Sequence, residues 1–407
     1  MDSSMNMLGE VAFVASTPDL DALSAASQAR PDLTFEWRDS VDAIEVQQWE
    51  RCFSRDHFAR SHAYQRAVER SSPHGVEFQY LVASRDQEVV AVVGCFRYRV
   101  PLSTTATGTA RKVMAGIERL LPSLFSINAF FVGQLTAVCD HLFGLEQIAE
   151  EERVSFLKCC EPSIRARAKE LGSSVIIHKE IPDDDIQKLG DAIGDDYILA
   201  PSLPAMELGL QSLEPYSSQL RKKYRVHYKR RQKLAAERGL SWQVHRGKLS
   251  QALQDDIETL YFNILDRSGT QFEHLSGSYF AAVMEQCEGA SIVLCRHGDK
   301  LVGFMLNIEG ERTFHGLYLG YDPAYRDAAV YFNLIYRSLD VALERGYQSI
   351  HLGQTSYEIK SALGAKRTNL YLALRAANPW VHAMLRLFKK HLFPEVTVPL
   401  RRAFRAQ

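Results

Sequence analysis

The sequence predicts an α/β (α+β) protein of two related halves, each a mixed, mostly antiparallel sheet flanked by helices. Three observations carry that expectation. The order hairpin, further strand, helix, strand occurs twice along the chain. In each copy the helix places apolar residues at three- and four-residue steps and is closed by a glycine. The 407 residues, 46% of them hydrophobic, are enough for two or three cores.

Residues 1–30 read as an N-terminal extension rich in Ser, Ala and Asp, without the basic start and apolar run of a signal peptide. The first domain is expected over 31–205. Strands at 78–84 and 89–97 form a hairpin candidate. Residues 120–139 carry no charged side chain, but Pro122, Asn128, Gly133 and Gln134 dilute them below a membrane span, so buried strands are expected there. A helix over about 151–171, with Leu157, Cys160, Ile164 and Ala168 on one face, ends at Gly172 and feeds a strand at 174–178.

The domain boundary is expected near 201–212, and the second domain over 206–375. It opens on the most charged stretch of the chain: eight Lys or Arg and no acid between 221 and 233. Such a helix repels itself unless counter-charge lies nearby, and a phosphate-bearing ligand would supply it as well as protein carboxylates would. Strands at 291–296 and 300–308 pair around Gly298 and Asp299, a two-residue hairpin connector. A strand follows at 312–319. Then comes a helix over 328–345 with Phe332, Ile335, Leu339 and Ala342 on its buried face, stopped by Gly346, and a strand at 349–354. Residues 376–407 form a tail whose helix starts at Asn378 and Pro379 and ends before Pro394. Val381, Met384, Leu385, Phe388 and Leu392 line one of its faces, which is expected to dock on the body. Arg386, Lys389 and Lys390 make peripheral contact with an anionic membrane surface the alternative.

Net charge is −1 and the pI about 6.9, so bulk charge selects no partner and DNA is not expected. The seven cysteines form no C-x-x-C pair, and reduced, buried thiols in a cytoplasmic protein are expected. There is no G-x-S-x-G, H-E-x-x-H, Walker or dinucleotide motif, His62 and His74 lack metal-like partners, and no metal is expected.

Four motifs stand in a telling order: Leu220-Arg221-Lys222-Lys223-Tyr224-Arg225 with Gly239; Gly320-Tyr321-Asp322-Pro323-Ala324-Tyr325-Arg326; Glu344-Arg345-Gly346; and Tyr357-Glu358-Ile359-Lys360 with Gly364. Together they resemble the FemAB-like branch of the GNAT acyltransferase superfamily, including the CelD/BioF-like acetyltransferases. The resemblance covers about 220–374, and the first half shares only the coarse order of elements. It implies tandem GNAT-like domains and N-acyl transfer, by direct attack, to an amine of a small molecule or a cell-envelope or natural-product precursor. The donor it implies is an acyl thioester such as acyl-CoA or, alternatively, aminoacyl-tRNA, with no tightly bound cofactor. Acyl-CoA users of this superfamily grip pyrophosphate with a glycine-rich turn. Residues 326–330, Arg-Asp-Ala-Ala-Val, have no glycine, which counts against a standard coenzyme A site. A reading of another class is a non-catalytic RNA- or membrane-surface-binding protein.

Acyl transfer to an amine needs an uncharged nucleophile, a stabilised oxyanion and a proton route. Lys360 is the leading catalytic candidate, to stabilise an oxyanion or hold donor phosphate. Tyr357, three residues earlier, is placed on the same side as a proton relay, and His315 is a candidate general base. With strict alternation, Phe314, Gly316, Tyr318 and Gly320 share one strand face and His315, Leu317 and Leu319 the other. Tyr318, Tyr321, Arg326, Asn333, Gln354 and Thr355 are the substrate-binding candidates. Lys229, Arg230 and Arg231 are the donor-phosphate candidates.

Overall fold

The computed structural model describes residue 30 and residues 32–405, apart from 73–74, 102–125, 137, 139–141 and 266–273. The expectations for residues 1–29, His74, Cys139 and the 120–125 end of the uncharged stretch lie outside the described residues.

In chain order the elements are β1 (Thr34–Arg38), α1 (Val46–Cys52), α2 (His62–Ser71), the hairpin β2 (Val76–Arg85) and β3 (Glu88–Pro101), β4 (Ser126–Val132) and the short β5 (Phe143–Gly144). Then come α3 (Glu150–Glu170), β6 (Val175–Pro182), α4 (Ile186–Ile193) and β7 (Ile198–Pro201). The chain continues with β8 (Ala205–Gly209), α5 (Tyr216–Gln219), α6 (Lys222–Glu237), β9 (Leu240–His245), α7 (Gln251–Leu265) and α8 (Gly277–Gln286). The hairpin β10 (Ala290–His297) and β11 (Lys300–Glu309), β12 (Phe314–Tyr321), α9 (Val330–Glu344), β13 (Ser349–His351), α10 (Tyr357–Ala362), β14 (Lys366–Thr368), β15 (Leu370–Ala376) and α11 (Pro379–Leu392) complete it.

The strands form two mixed sheets. The first runs β1-β2-β3-β4-β6-β15-β7 with β5 beside β3, and the second runs β14-β8-β13-β12-β11-β10-β9. Each has one parallel pair, β4 with β6 and β12 with β13, and each pair is joined by a long helix, α3 or α9. The duplication is therefore real at the level of topology: hairpin, third strand, crossover helix, parallel fourth strand. The glycines behave as expected of C′ residues. Gly172 (φ +66°) and Gly346 (φ +85°) take the left-handed conformation that lets the chain leave the helix at little steric cost. Gly298 (φ +58°) does the same in the β10–β11 turn.

Past the fourth strand the halves interlock. β7 stays in the first sheet, but the next strand, β8, crosses over and pairs with β13. Reciprocally, β14 stays in the second sheet on β8, whereas β15 returns to the first and inserts between β6 and β7. Residues 370–375, expected within the second domain, thus lie in the first sheet together with Ala376. An apolar core also spans the halves. Phe58, Tyr64, Phe96 and Phe131 pack with Ile257, Leu260, Tyr279, Phe280, Phe304 and Leu306. The Tyr64 and Tyr279 hydroxyls are hydrogen bonded at 2.8 Å within that contact.

The tail helix departs from expectation. Asn378 caps it, its Oδ1 accepting from the Trp380 and Val381 N–H groups, but no residue of α11 is buried. Trp380 is 83% and Leu387 73% exposed, and Val381, Met384, Phe388 and Leu392 are exposed as well. The apolar face turns away from the body because the edge strand β7 and its neighbour β15 contact α11 without covering that face. Among the described residues no helix is long and apolar enough to cross a membrane. The six described cysteines are free thiols.

Candidate active site

The site follows from where two strands stop pairing. β12 and β13 share parallel register only at Phe314 with Ile350 and His315 with His351. β13 then ends, β12 runs on to Tyr321, and the two diverge. On its other edge β12 carries a bulge: Leu306 opposes Tyr318 and Asn307 opposes Gly316, so Leu317 is the extra residue. A bulge resets the alternation of side chains. Phe314 accordingly packs on the α9 side, while Tyr318 packs on the α7–α8 side against Tyr261, Tyr279 and Phe280. The strict alternation expected from sequence, which put Phe314 and Tyr318 on one face, is corrected here.

Divergence opens a cleft of ≈ 410 Å³. Its second-half walls are Tyr318 on β12, Tyr261 on α7, Tyr331 at the start of α9 and the loop from His351 to Ser356. That loop is tightly wound, with Gly353, Thr355 and Ser356 all at positive φ (+66°, +65° and +50°). Two of the three carry a Cβ, which disfavours this conformation, and such backbone strain persists where surrounding structure enforces it. The loop is held by the Gln354 side chain, whose Nε2 donates to the Leu203 carbonyl at 2.7 Å. This clamps it to the crossing between β7 and β8.

Lys360 projects from α10 beneath this loop. It is 6% exposed, lines the cleft, and its Nζ donates to the Gln354 carbonyl. Burial lowers its pKa from 10.5 to about 7, because the charged ammonium loses its hydration. A lysine so placed is partly uncharged near neutral pH, whereas stabilising an oxyanion or holding donor phosphate, the roles expected from sequence, draws on the charged form. Tyr357 does not share the cleft. It packs against the α9-side core, and burial raises its phenol.

His315 is buried behind the cleft wall. Its ring lies 4.5 Å from that of His57, 4.8 Å from Phe58 and 5.7 Å from His351. Neither ring nitrogen has a hydrogen-bond partner. Burial, then His57 and His351, hold its pKa well below the ordinary value. It is a neutral packing residue, so the general-base assignment moves away from it. His351 is the histidine that reaches the cleft. Its Nδ1 accepts from Gly353 N at 3.3 Å, and burial with the charges of His57 and Lys360 lowers its pKa to about 3. A neutral ring accepting at Nδ1 carries its proton on Nε2.

The other expected residues divide. Tyr318, Gln354 and Thr355 line the cleft; Tyr321 stands behind it, its ring 6.3 Å from that of Tyr331. Asn333 does not reach it. Fully buried, its Nδ2 donates at 3.1 Å to both Arg231 O and Ala329 O, tying the basic helix to the first turn of α9. Arg231 is also committed internally, with its guanidinium 3.3 Å from the Phe332 ring centre and a 2.7 Å hydrogen bond to the Tyr336 hydroxyl. Lys229 and Arg230 are exposed on α6, and Arg326 on the turn before α9. That turn has no glycine, yet Ala329 adopts the left-handed conformation (φ +56°), so the tight entry to α9 forms without one.

Sequence reasoning missed His57, His351, Lys179 and Glu180. The last two come from the end of β6 and line the cleft from the first half. The internal repeat was the available signal, since β6 is the counterpart of β13 and its C-terminal end is the matching place. Among the described residues no cluster suits a metal ion.

Residues 222–361 match the family described as an acetyltransferase (GNAT) domain. The match runs from α6 to one residue past Lys360, within the second half of the chain. No curated protein matches the chain. Among solved structures, FemX is 12% identical, with a TM-score of 0.53, over 86% of this chain and 100% of that one. A tandem GNAT protein from the clavulanic acid biosynthesis pathway is also 12% identical, with a TM-score of 0.51, over 85% of this chain and 99% of that one. The chain as a whole thus has a tandem GNAT-like fold.

Proposed function

We propose that the chain is an N-acyltransferase that moves an acyl group from an acyl thioester, acyl-CoA or similar, to the amine of a small molecule or of a cell-envelope or natural-product precursor. The observation that carries the reading is the split between β12 and β13 with a lysine of pKa about 7 buried at its wall. Strand backbone left without a neighbour on both sides of a cleft suits an extended ligand with amide groups, which pairs there as an added strand. The pantetheine arm of an acyl-CoA has that chemistry. Its phosphates would lie toward the start of α9 and Arg326, where first-turn N–H groups and a guanidinium favour anions.

In the reaction the amine nitrogen attacks the thioester carbonyl, the C–N bond forms and the C–S bond breaks. Lys360, in its neutral form, takes the proton that the nitrogen loses and passes it to the departing sulfur. A group titrating near the working pH is best suited to both steps. None of the described cysteines lines the cleft, and burial pushes Cys52, Cys287 and Cys295 up to about 12, which supports direct attack without a covalent enzyme intermediate. Unpaired thiols also fit a cytoplasmic setting.

A second reading takes aminoacyl-tRNA as donor. The row of Lys222, Lys223, Lys229, Arg230 and Lys233, all exposed on α6, favours it, because such a row follows a phosphate backbone. A third, the non-catalytic membrane-surface binder, draws on the exposed apolar face of α11. Thermal-shift titration with free coenzyme A, acetyl-CoA, longer acyl-CoAs and charged tRNA separates them, since a ligand of the native state raises Tm. Stabilisation by an acyl-CoA is expected. Stabilisation by charged tRNA alone transfers the reading to the second donor, and none by any of them overturns acyl transfer.

A further inference from the structure

Among the described residues the first half contributes one acid to the cleft, and the backbone is distorted where it does so. β6 pairs with β15 in regular antiparallel register except at one place: Ile181 opposes Tyr371 and His178 opposes Ala373. Two residues, Lys179 and Glu180, therefore face the single Leu372. Glu180 is held at φ +57°. That conformation is easy for glycine and unfavourable for a residue with a Cβ, so the strand retains a glutamate where glycine would fit better. Bulges re-aim side chains, and both residues of this one line the cleft, across from Lys360, His351 and Tyr318. Lys179 donates to the carbonyls of Gln134 at 2.6 Å and Leu135 at 3.4 Å, and its Nζ is 3.8 Å from Glu180 Oε1. Glu180 is 6% exposed and, among the described residues, is the sole carboxylate lining the cleft.

We infer that Glu180 is the acceptor subsite and that the acceptor arrives as a primary ammonium on an aliphatic chain, which sheds one proton to solvent to become the nucleophilic amine before Lys360 takes the second as the C–N bond forms. An aliphatic amine is protonated near neutral pH, and a carboxylate in a low-dielectric wall attracts that charge far more strongly than it would in water. Tyr261, Tyr318 and Tyr331 supply apolar rings for the chain and π-faces for the cation. Of the three basic groups facing the space, Lys360 and His351 have their charge suppressed by burial, and the Lys179 ammonium is drawn onto the Gln134 and Leu135 carbonyls, so the acceptor ammonium competes with one cation, 3.8 Å from Glu180 Oε1. The subsite deepens the acyl-transfer reading and rests on it for the word acceptor, but its affinity for ammonium can be measured alone.

The test uses the full chain and its Glu180→Gln and Glu180→Gly variants, titrated calorimetrically with n-hexylammonium and with n-hexanol, and assayed by thermal shift with acetyl-CoA. The wild type is expected to bind n-hexylammonium at least tenfold more tightly than n-hexanol. Both variants are expected to lose that preference while retaining the acetyl-CoA shift, and Glu180→Gly to melt no lower than the wild type, because glycine suits the left-handed backbone. Equal binding of alcohol and ammonium by the wild type, no binding of ammonium, or an undiminished preference in the variants overturns the inference. So does loss of the acetyl-CoA shift in the variants, which puts Glu180 on the donor side, or a fall in Tm in both, which makes the carboxylate structural. A wild type that prefers ammonium but is not stabilised by any acyl-CoA leaves the subsite standing and refutes the acyl-thioester donor.

Discussion

Replacing Lys360 with methionine should stabilise the protein and stop the reaction, and the stability gain should depend on pH in a stated way. Burial holds the Lys360 amine at about 7 in the folded chain against 10.5 ordinarily. The unfolded chain therefore binds the proton more tightly throughout that window, and the folded state gains stability as pH rises from about 7 toward 10.5. Below 7 the full penalty is present. Worked through the linkage relation, this lysine destabilises the fold by up to about 5 kcal/mol at pH 6, about 4 at pH 7 and about 2 at pH 9. These figures are upper bounds, because the hydrogen bond to Gln354 O returns about 1 kcal/mol. Methionine fills a similar volume without a charge. Urea denaturation of wild type and Lys360→Met at pH 6, 7.5 and 9 should show the variant more stable, with the gap narrowing as pH rises. A gap that does not change with pH, or a variant less stable at pH 6, refutes the argument that burial tunes this amine. In the acyl-transfer assay the wild-type rate should rise with pH through about 7, and the variant should lack that limb.

Other outcomes follow from the same structure. His351 has its pKa lowered from 6.5 to about 3, so the stability it permits at neutral pH is lost as pH falls below about 6.5; His351→Phe should recover up to about 3 kcal/mol at pH 4, read as a shallower acid limb in urea melts. A Cβ on Gly320 would lie 2.5 Å from the Leu260 carbonyl oxygen and 2.6 Å from Phe304 Cε1, so Gly320→Ala should cost about 1–3 kcal/mol by chemical denaturation. The double variant Trp380→Ser, Leu387→Ser removes exposed apolar surface from α11 and should leave stability within about 0.5 kcal/mol. If that helix meets a membrane, the double variant should also sediment less with vesicles rich in phosphatidylglycerol.

Much of the fold was legible because it is written locally. Gly172 and Gly346 ended their helices where the apolar period stopped, Gly298 closed its hairpin, and Asn378 with Pro379 started the last helix. Lys360 was found because a lysine just past a strand end is a local pattern. What was not legible is non-local. The bulge at Leu317 depends on how β12 meets β11, and it reversed which residues share a face with His315. The suppressed charge of Lys360 depends on burial beneath a strained loop that the Tyr357-Glu358-Ile359-Lys360 motif alone does not disclose. Lys179 and Glu180 join the site only because the first half packs against the split in the second. The exposed face of α11 contradicted a sound rule, since an amphipathic period says that a face wants cover but not what covers it.

The reciprocal exchange of β8 and β15 has a consequence for synthesis. A ribosome delivers the first half early, but β7 has no place in the first sheet until β15, emerging near the end of translation, joins it to β6. Until then β6 presents an unpaired edge, and unpaired edges recruit other chains. Closing a strand pair across half the chain is also slow, because loop-closure entropy must be overcome before the pairing is gained. The last strand made thus completes the first sheet laid down, and a chain stopped at 369 loses the strand that joins β7 to β6, not merely its tail. Its yield in cells should therefore respond to the speed of translation over its final forty codons, on the order of seconds, read as soluble protein from synonymous slow-codon and fast-codon genes.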